Sequence, residues 1–309
     1  VGAGRGVSSW QGRAKGQGMV GPRGVVSPSR APWLAFPPNS AKRTGTRSAS
    51  LWQSPTVRYE AAPVSHRGRA AAGEIGLVTL DAPQRINAFD RAMAQDFRAI
   101  LGHVAELRAR GQGPSALVLA GAGERGFCAG GDLSTLLEIA EMGDQDRRAR
   151  ELFSLYDSFL AIRTLGVPVV AALHGHCVGG GAGIAVGCAD LRVASRCTKL
   201  RFNFVRELAI SPGMGATKTL RDSVGASRAN QLLFQIPVTS LDAPKLVRLG
   251  LCTHEAPTPQ AALSSAIDQA SDLARACPEA TAATATALRG DHEELRRALW
   301  AEAQHQAVC

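Results

Sequence analysis

Two stretches decide the fold: Phe127-Cys128-Ala129-Gly130-Gly131-Asp132-Leu133 and His174-Gly175-His176-Cys177-Val178-Gly179-Gly180-Gly181. The apolar run 116–120 precedes the first, and the apolar run 169–173 precedes the second. Each then opens into a segment with helical spacing. Buried strand, glycine loop and helix are thus written twice. Glycine lets a backbone N–H face a ligand with no side chain in the way. An N–H at a helix start also carries the positive end of the helix dipole. Two such groups, one from each loop, can converge on one oxygen that gains negative charge.

Working outward, residues 75–80 read as a strand ended by the turn Asp81-Ala82-Pro83. Residues 90–110 read as a helix, with Met93, Phe97, Ile100, Leu101, Val104 and Leu107 at spacings of three and four. Helices are expected at 133–142 and 149–165, the second stopped by Gly166 and Pro168. Segments 191–194 and 200–204 look like strands. Beyond Pro212 the pattern turns helical, at 216–224, 228–235, 261–276 and 291–306. Alternating strands and helices followed by helices alone predict an α/β fold with a C-terminal helical region.

The net charge of +9 on 309 residues invites a nucleic-acid reading. Its distribution argues against one: residues 1–69 hold eleven Lys/Arg and a single acid, Glu60, so the remainder is close to neutral. We therefore expect three regions: a basic, disordered, transit-peptide-like segment over 1–68, an α/β core over 69–255 and a helical region over 256–309. The first would address the protein to the mitochondrion, or alternatively the plastid. No run of 18 apolar residues is present, so no membrane span is expected. The seven cysteines form no C-x-x-C pair, and reduced thiols are expected, with no metal ligand set. Gly121-Ala122-Gly123-Glu124-Arg125-Gly126 matches a dinucleotide fingerprint, but Phe127–Gly131 stands where its helix should begin. It reads as a glycine-rich turn.

Residues 73–255 resemble the crotonase (enoyl-CoA hydratase/isomerase) superfamily through five ordered motifs. They are Gly76–Leu80 with Pro83-Gln84-Arg85-Ile86-Asn87-Ala88-Phe89, then Phe127–Leu133, Pro168–Gly181, Cys188-Ala189-Asp190-Leu191-Arg192-Val193-Ala194 and Pro212-Gly213-Met214-Gly215. The resemblance implies a spiral of ββα units and a homotrimer or hexamer. It implies an acyl-CoA or acyl-carrier-protein substrate, with coenzyme A or phosphopantetheine present only as part of that substrate. It also implies that the N–H groups of Gly131 and Gly180 form the oxyanion hole. The loop at Arg85 and Ile86 would touch the pantetheine arm, and Ala129, Asp132 and Leu133 would line the substrate.

The family's hydratases hold a water between two glutamates. Here Gly183 occupies the first position, and Phe204-Val205-Arg206-Glu207 replaces a Phe-Pro-Glu pattern. Only a one-residue gap brings Glu207 to the second position. The stretch 203–217 resembles the decarboxylating enzymes of polyketide β-branching cassettes, which also lack both glutamates. That branch carries a lysine where this chain reads Leu133-Ser134-Thr135, and its C-terminal histidine matches His292 only across a gap. Decarboxylation needs no base to make an enolate, because departing CO2 leaves its electrons behind. The expected reaction is therefore decarboxylation rather than hydration, with Arg206 or His176 pairing with a substrate carboxylate. The alternatives are a hydratase or isomerase working through Glu207 alone, and a non-catalytic acyl-CoA-binding subunit.

Other polar residues have plainer readings. Asp132 suits a helix N-cap, and His174 and His176 alternate, so at most one faces a pocket. A Ser134–His176–Asp190 triad has no sequence support.

Overall fold

The computed structural model describes residues 51–66, 69–234 and 239–309, all within one compact unit. Its large sheet begins with β1 (Leu51–Gln53), β2 (Val57–His66) and β3 (Arg69–Leu80), paired antiparallel. Strands β4 (Ala116–Gly121), β6 (Val169–Leu173), β8 (Leu191–Ser195) and β10 (His254–Ala256) then continue it in parallel. The order is β1-β2-β3-β4-β6-β8-β10. A second, parallel sheet holds β5 (Gly126–Cys128), β7 (His176–Val178) and β9 (Lys199–Arg201).

The chain therefore repeats one turn three times: a strand in the large sheet, a short strand in the small sheet, then a helix. These helices are α2 (Leu133–Ala140), α4 (Gly180–Gly187) and the short α5 (Phe204–Glu207). This is the expected spiral of ββα units. Strands β4 and β6 are almost wholly buried, as continuous apolar runs in a parallel sheet should be.

One face of the large sheet packs on α1 (Arg91–Ala109); α3 (Gln145–Leu160) packs on α1 and α11 (His292–Gln306) on α3, and Phe89, Phe97, Phe159, Leu295 and Leu299 join one apolar cluster. The other face packs on α9 (Pro259–Arg275), whose Ala262, Ala266, Ala270 and Ala274 recur every four residues against Ile75, Val118, Val170 and Val193. The remaining helices are α6 (Ala216–Val224), α7 (Ala226–Phe234), α8 (Ala243–Arg248) and α10 (Pro278–Arg289). The C-terminal region is thus helical, although α11 is part of the main core rather than an appendage.

Two expectations need correction. Residues 51–66 belong to the fold, not to the basic leader assigned to 1–68. Trp52, Val57, Tyr59 and Ala61 are buried, while Arg58 turns outward to pair with Asp81 at 2.7 Å. Pairing with β3 buries that alternation, a long-range event that overall charge conceals. The disordered-leader expectation for residues 1–50 lies outside the described residues. The strand expected over 200–204 ends at Arg201, and Phe204 begins α5.

Candidate active site

The loop between β3 and α1 is built around Asn87, fully buried with φ of 53°. Its Oδ1 accepts from Ala82 N at 2.9 Å, and its Nδ2 donates to the carbonyls of Ala122, Gly126 and Phe127 at 2.9, 3.1 and 3.0 Å. One side chain thus ties the first loop to the glycine loop that follows β4. Asn87→Ala is expected to cost about 3 to 5 kcal/mol, because several buried backbone groups lose their partners and alanine disfavours a positive φ. Urea unfolding measures it; a loss below about 1 kcal/mol would show that the loops are held by other contacts.

Phe89 donates its N–H to Gly130 O and accepts from Asp132 N, both at 2.8 Å. In such a parallel bridge the intervening residue, Gly131, turns its own N–H away from Phe89. Gly180 is the first residue of α4, so its N–H has no acceptor within the helix. A Cβ on Gly180 would stand 3.6 Å from the Gly131 nitrogen. Standard backbone geometry then places the two nitrogens within about 6 Å, close enough to share an acceptor at ~3 Å from each. The close approach needs glycine at two positions. Gly130 has φ of +100°, and a Cβ on Gly181 would meet Cys128 O.

These N–H groups border a cavity of about 520 Å³. Of the residues expected at the site, Ile86, Ala129, Gly131, Asp132, Leu133, His176 and Gly180 line it. Asp132 is occupied: it caps α2 through Thr135 N at 3.2 Å and accepts from Ser134 Oγ at 2.5 Å. The Ser134 hydroxyl, the Thr135 N–H and nearby Arg85 together hold its carboxyl below the usual range. Among the described residues it is the one carboxylate in the cavity wall.

Four expected residues are elsewhere. Arg85 bonds to Asp90 at 2.5 Å and lies 3.7 Å from Asp132, so it braces the loop instead of lining the cavity. Arg206 does not reach the wall, because α5 presents Asn203 and Phe204 there. Glu207 pairs with Arg201 at 2.8 Å and accepts from Asn203 Nδ2 at 3.2 Å, one layer behind the cavity. His292 sits at the start of α11 near Asp157 and Arg163, outside the cavity wall.

The structure adds Tyr156, Arg201 and Asn203 to the wall. Tyr156 sits in the apolar stripe of α3 with Leu152, Leu155 and Phe159, a spacing that carries no signal of a cavity residue. Its hydroxyl donates to Gln306 Oε1 at 2.9 Å. The buried Asn203 Oδ1 has no hydrogen-bond partner and lies against Gly179. The alternation of Arg201 with buried Leu200 was the available signal for β9.

Other readings resolve simply. His174 bonds Gly123 O at 2.9 Å, and burial pushes its pKa down, so the ring is neutral and structural. The glycine fingerprint runs from β4 directly into β5 with no helix, which excludes the dinucleotide site. Asp190 holds Arg289 at 2.5 Å in a different cavity, which excludes the triad. Among the described residues no cluster suited to a metal is present, and no helix is long and apolar enough to cross a membrane.

A three-turn ββα spiral with two glycine loops bordering one cavity is the architecture of the crotonase fold. The chain belongs to the enoyl-CoA hydratase/isomerase family, whose model matches residues 70–307. It is 30% identical over 241 residues to the short-chain-enoyl-CoA hydratase of Clostridium acetobutylicum, covering 77% of this chain and 86% of that protein. An enoyl-CoA isomerase/hydratase of Zymoseptoria tritici is 31% identical over 207 residues, covering 66% and 61%. The crystal structure of an enoyl-CoA hydratase from Bacillus halodurans shares the fold with a TM-score of 0.66 at 23% identity, covering 78% and 92%.

Proposed function

We propose that the chain converts an acyl thioester through an enolate held by the N–H groups of Gly131 and Gly180, and that loss of CO2 generates that enolate. The observation that carries this reading is the wall of the cavity. It brings Gly131 and Gly180 close together and carries no free carboxylate, since Asp132 is engaged by Ser134, Thr135 and Arg85. Adding water to a conjugated thioester needs a base to deprotonate that water and an acid for the α-carbon. Decarboxylation of a malonyl-type thioester needs neither at its first step. The bond to the carboxylate breaks, its electron pair enters the thioester carbonyl, and the oxygen becomes the anion that the two N–H groups stabilise. A proton from solvent then adds to the α-carbon where the carboxylate was. His176 and the guanidinium N–H groups of Arg201 other than the Nη1 that Glu207 holds give the substrate carboxylate polar partners, and the apolar side around Leu136 and Phe204 gives CO2 a place to leave.

The experiment is a mass-spectrometric assay of the full chain on malonyl-type and crotonyl thioesters, scoring CO2 loss and hydration together. CO2 loss is expected to exceed hydration by at least about a hundredfold, the scale of one missing acid–base pair. Arg201→Gln is expected to raise KM for the carboxylated substrate more than for its uncharged analogue. A second reading rests on Glu207, one hydrogen bond behind Asn203 in the wall. Brisk hydration that collapses in Glu207→Gln would establish that one-glutamate hydratase instead. No turnover with retained thioester binding would leave a non-catalytic binding subunit.

A further inference from the structure

Phe89 touches both glycine loops at once. Its backbone holds the first: the Phe89 N–H donates to Gly130 O and its carbonyl accepts from Asp132 N, both at 2.8 Å, on either side of Gly131. Its ring reaches the second. A Cβ on Gly180 would stand 2.7 Å from Phe89 Cζ and 2.8 Å from Phe89 Cε1. The two ring-tip atoms thus lie against the bare face of the first residue of α4 and leave room there for hydrogen alone. The ring is held from behind. Phe89 is fully buried, Phe159 packs on it with ring centroids 5.0 Å apart, and Tyr156 meets it edge-on at 6.2 Å. Phe97 of α1 backs Phe159 in turn, at 4.9 Å.

We propose that Phe89 is the positioning residue of the site: its backbone fixes Gly131, its ring fixes Gly180, and the length of that one side chain sets the gap between the two nitrogens. The inference rests on the reading that Gly131 and Gly180 share the thioester oxygen. Hydrogen bonds weaken steeply with distance and angle, so two donors serve one oxygen only while that gap is held. The loops come from different strands, β5 and β7, and α4 starts two residues beyond the end of β7. A ring has no torsion of its own, so its tip stays where the backbone and two side-chain angles put it. Phe89 acts through the two glycines and needs no contact with a reacting atom.

Phe89→Leu is the test, because leucine ends near the ring's Cδ atoms and removes both tip atoms that meet Gly180. A whole hole donor is worth about a hundredfold or more, so a partly displaced one is expected to lower kcat at least about tenfold. KM is expected to stay within about threefold, because the hole tightens only as the oxygen gains charge. Phe97→Leu takes the same atoms from the same aromatic cluster, one ring further from the glycines. It is expected to lower the thermal midpoint and leave kcat within about twofold, as a packing loss alone does. If Phe89→Leu fails to fold, Phe89→Met replaces it, and its flexible tip is expected to lower kcat in the same way. A direct readout is the infrared stretch of an isotope-labelled carbonyl in a bound acyl thioester that lacks the departing carboxylate. Two donors pull it to lower frequency in the wild type, and the shift is expected to be about half as large in Phe89→Leu. A wild-type carbonyl that does not shift overturns the oxyanion reading and this inference with it. A wild-type shift that Phe89→Leu reproduces overturns the inference alone, as does an unchanged kcat. So does an equal loss of kcat in Phe97→Leu, which would make Phe89 ordinary packing. Should no thioester turn over, the carbonyl shift by itself decides.

Discussion

A glutamate placed at position 183 is expected to unfold the protein rather than to create a hydratase. A Cβ on Gly183 would lie 2.6 Å from Met214 Cβ and 2.8 Å from Met214 Cγ. Neither atom is the loose end of a side chain, so relief requires movement of the backbone that carries Met214. Overpacking of this kind costs about 1 to 3 kcal/mol, which is the expected loss for Gly183→Ala. A carboxylate at the same point adds the cost of a buried, unpaired charge, several kcal/mol more. Gly183→Glu alone should therefore express poorly and show no crotonyl-thioester hydration. Met214 holds φ of 63°, unusual for a side-chain-bearing residue. Met214→Gly removes both clashing atoms and that strain, at the cost of a fully buried side chain. The two substitutions should couple favourably by about 1 to 3 kcal/mol in a double-mutant cycle of urea unfolding. If Gly183→Ala proves neutral, or Gly183→Glu alone hydrates crotonyl thioester, the space is not closed as the contacts indicate.

Stability that depends on Glu302 is expected to disappear as pH rises through neutrality. This residue, 3% exposed on α11, accepts from Gly215 N at 2.7 Å and from Thr217 N and Oγ1 at 2.8 and 2.5 Å. It therefore braces the start of α6 and the Pro212–Gly215 turn, where Met214 faces Gly183. Burial raises its pKa from 4.5 to about 7 and outweighs the hydrogen bonds from Thr217 and Gly215, which lower it. The folded protein thus binds a proton between pH 4.5 and about 7 that the unfolded chain has released. Stability contributed by this proton is complete below 4.5 and is lost as pH rises through about 7. A shift of that size corresponds to about 3 kcal/mol. Buried His174 and half-buried His292 have lowered pKa values and act in the opposite sense. The comparison must therefore be made against Glu302→Gln, which retains both histidines. The stability of the wild type relative to that variant should fall by about 3 kcal/mol between pH 4.5 and 8. A difference that stays constant, measured by urea unfolding across that range, would mean the carboxylate is ionised throughout by its N–H donors.

The glycine loops were legible because each requirement is local. Gly130 needs a positive φ, Gly181 must let Cys128 O approach, and Gly180 must start a helix directly after a strand. These needs leave glycine at fixed spacing after apolar runs; the order of those runs was enough for an α/β fold, and the family resemblance of the motifs supplied the ββα spiral. The same locality explains the failures. A window around 51–66 contains arginine, proline and few long apolar side chains. Pairing with β3 and cover from α1 together bury Val57, Tyr59 and Ala61, and no neighbour in sequence reveals it.

Which polar side chains reach the cavity was likewise decided by tertiary structure. Arg206 and Glu207 adjoin the expected position in sequence, yet the short turn α5 aims Asn203 and Phe204 inward and leaves Glu207 to neutralise Arg201. His292 is carried to another face by α11, while the far end of that same helix holds Tyr156 through Gln306. By itself the sequence determined the family, the two glycine loops that border the cavity and the absence of an acid at 183, since backbone geometry dictates residue type over a few positions. Only the tertiary structure decided that Met214 fills the space beside Gly183, that Asp132 is already engaged, and that the Phe89 ring reaches Gly180. Each of those depends on atoms brought together from distant parts of the chain.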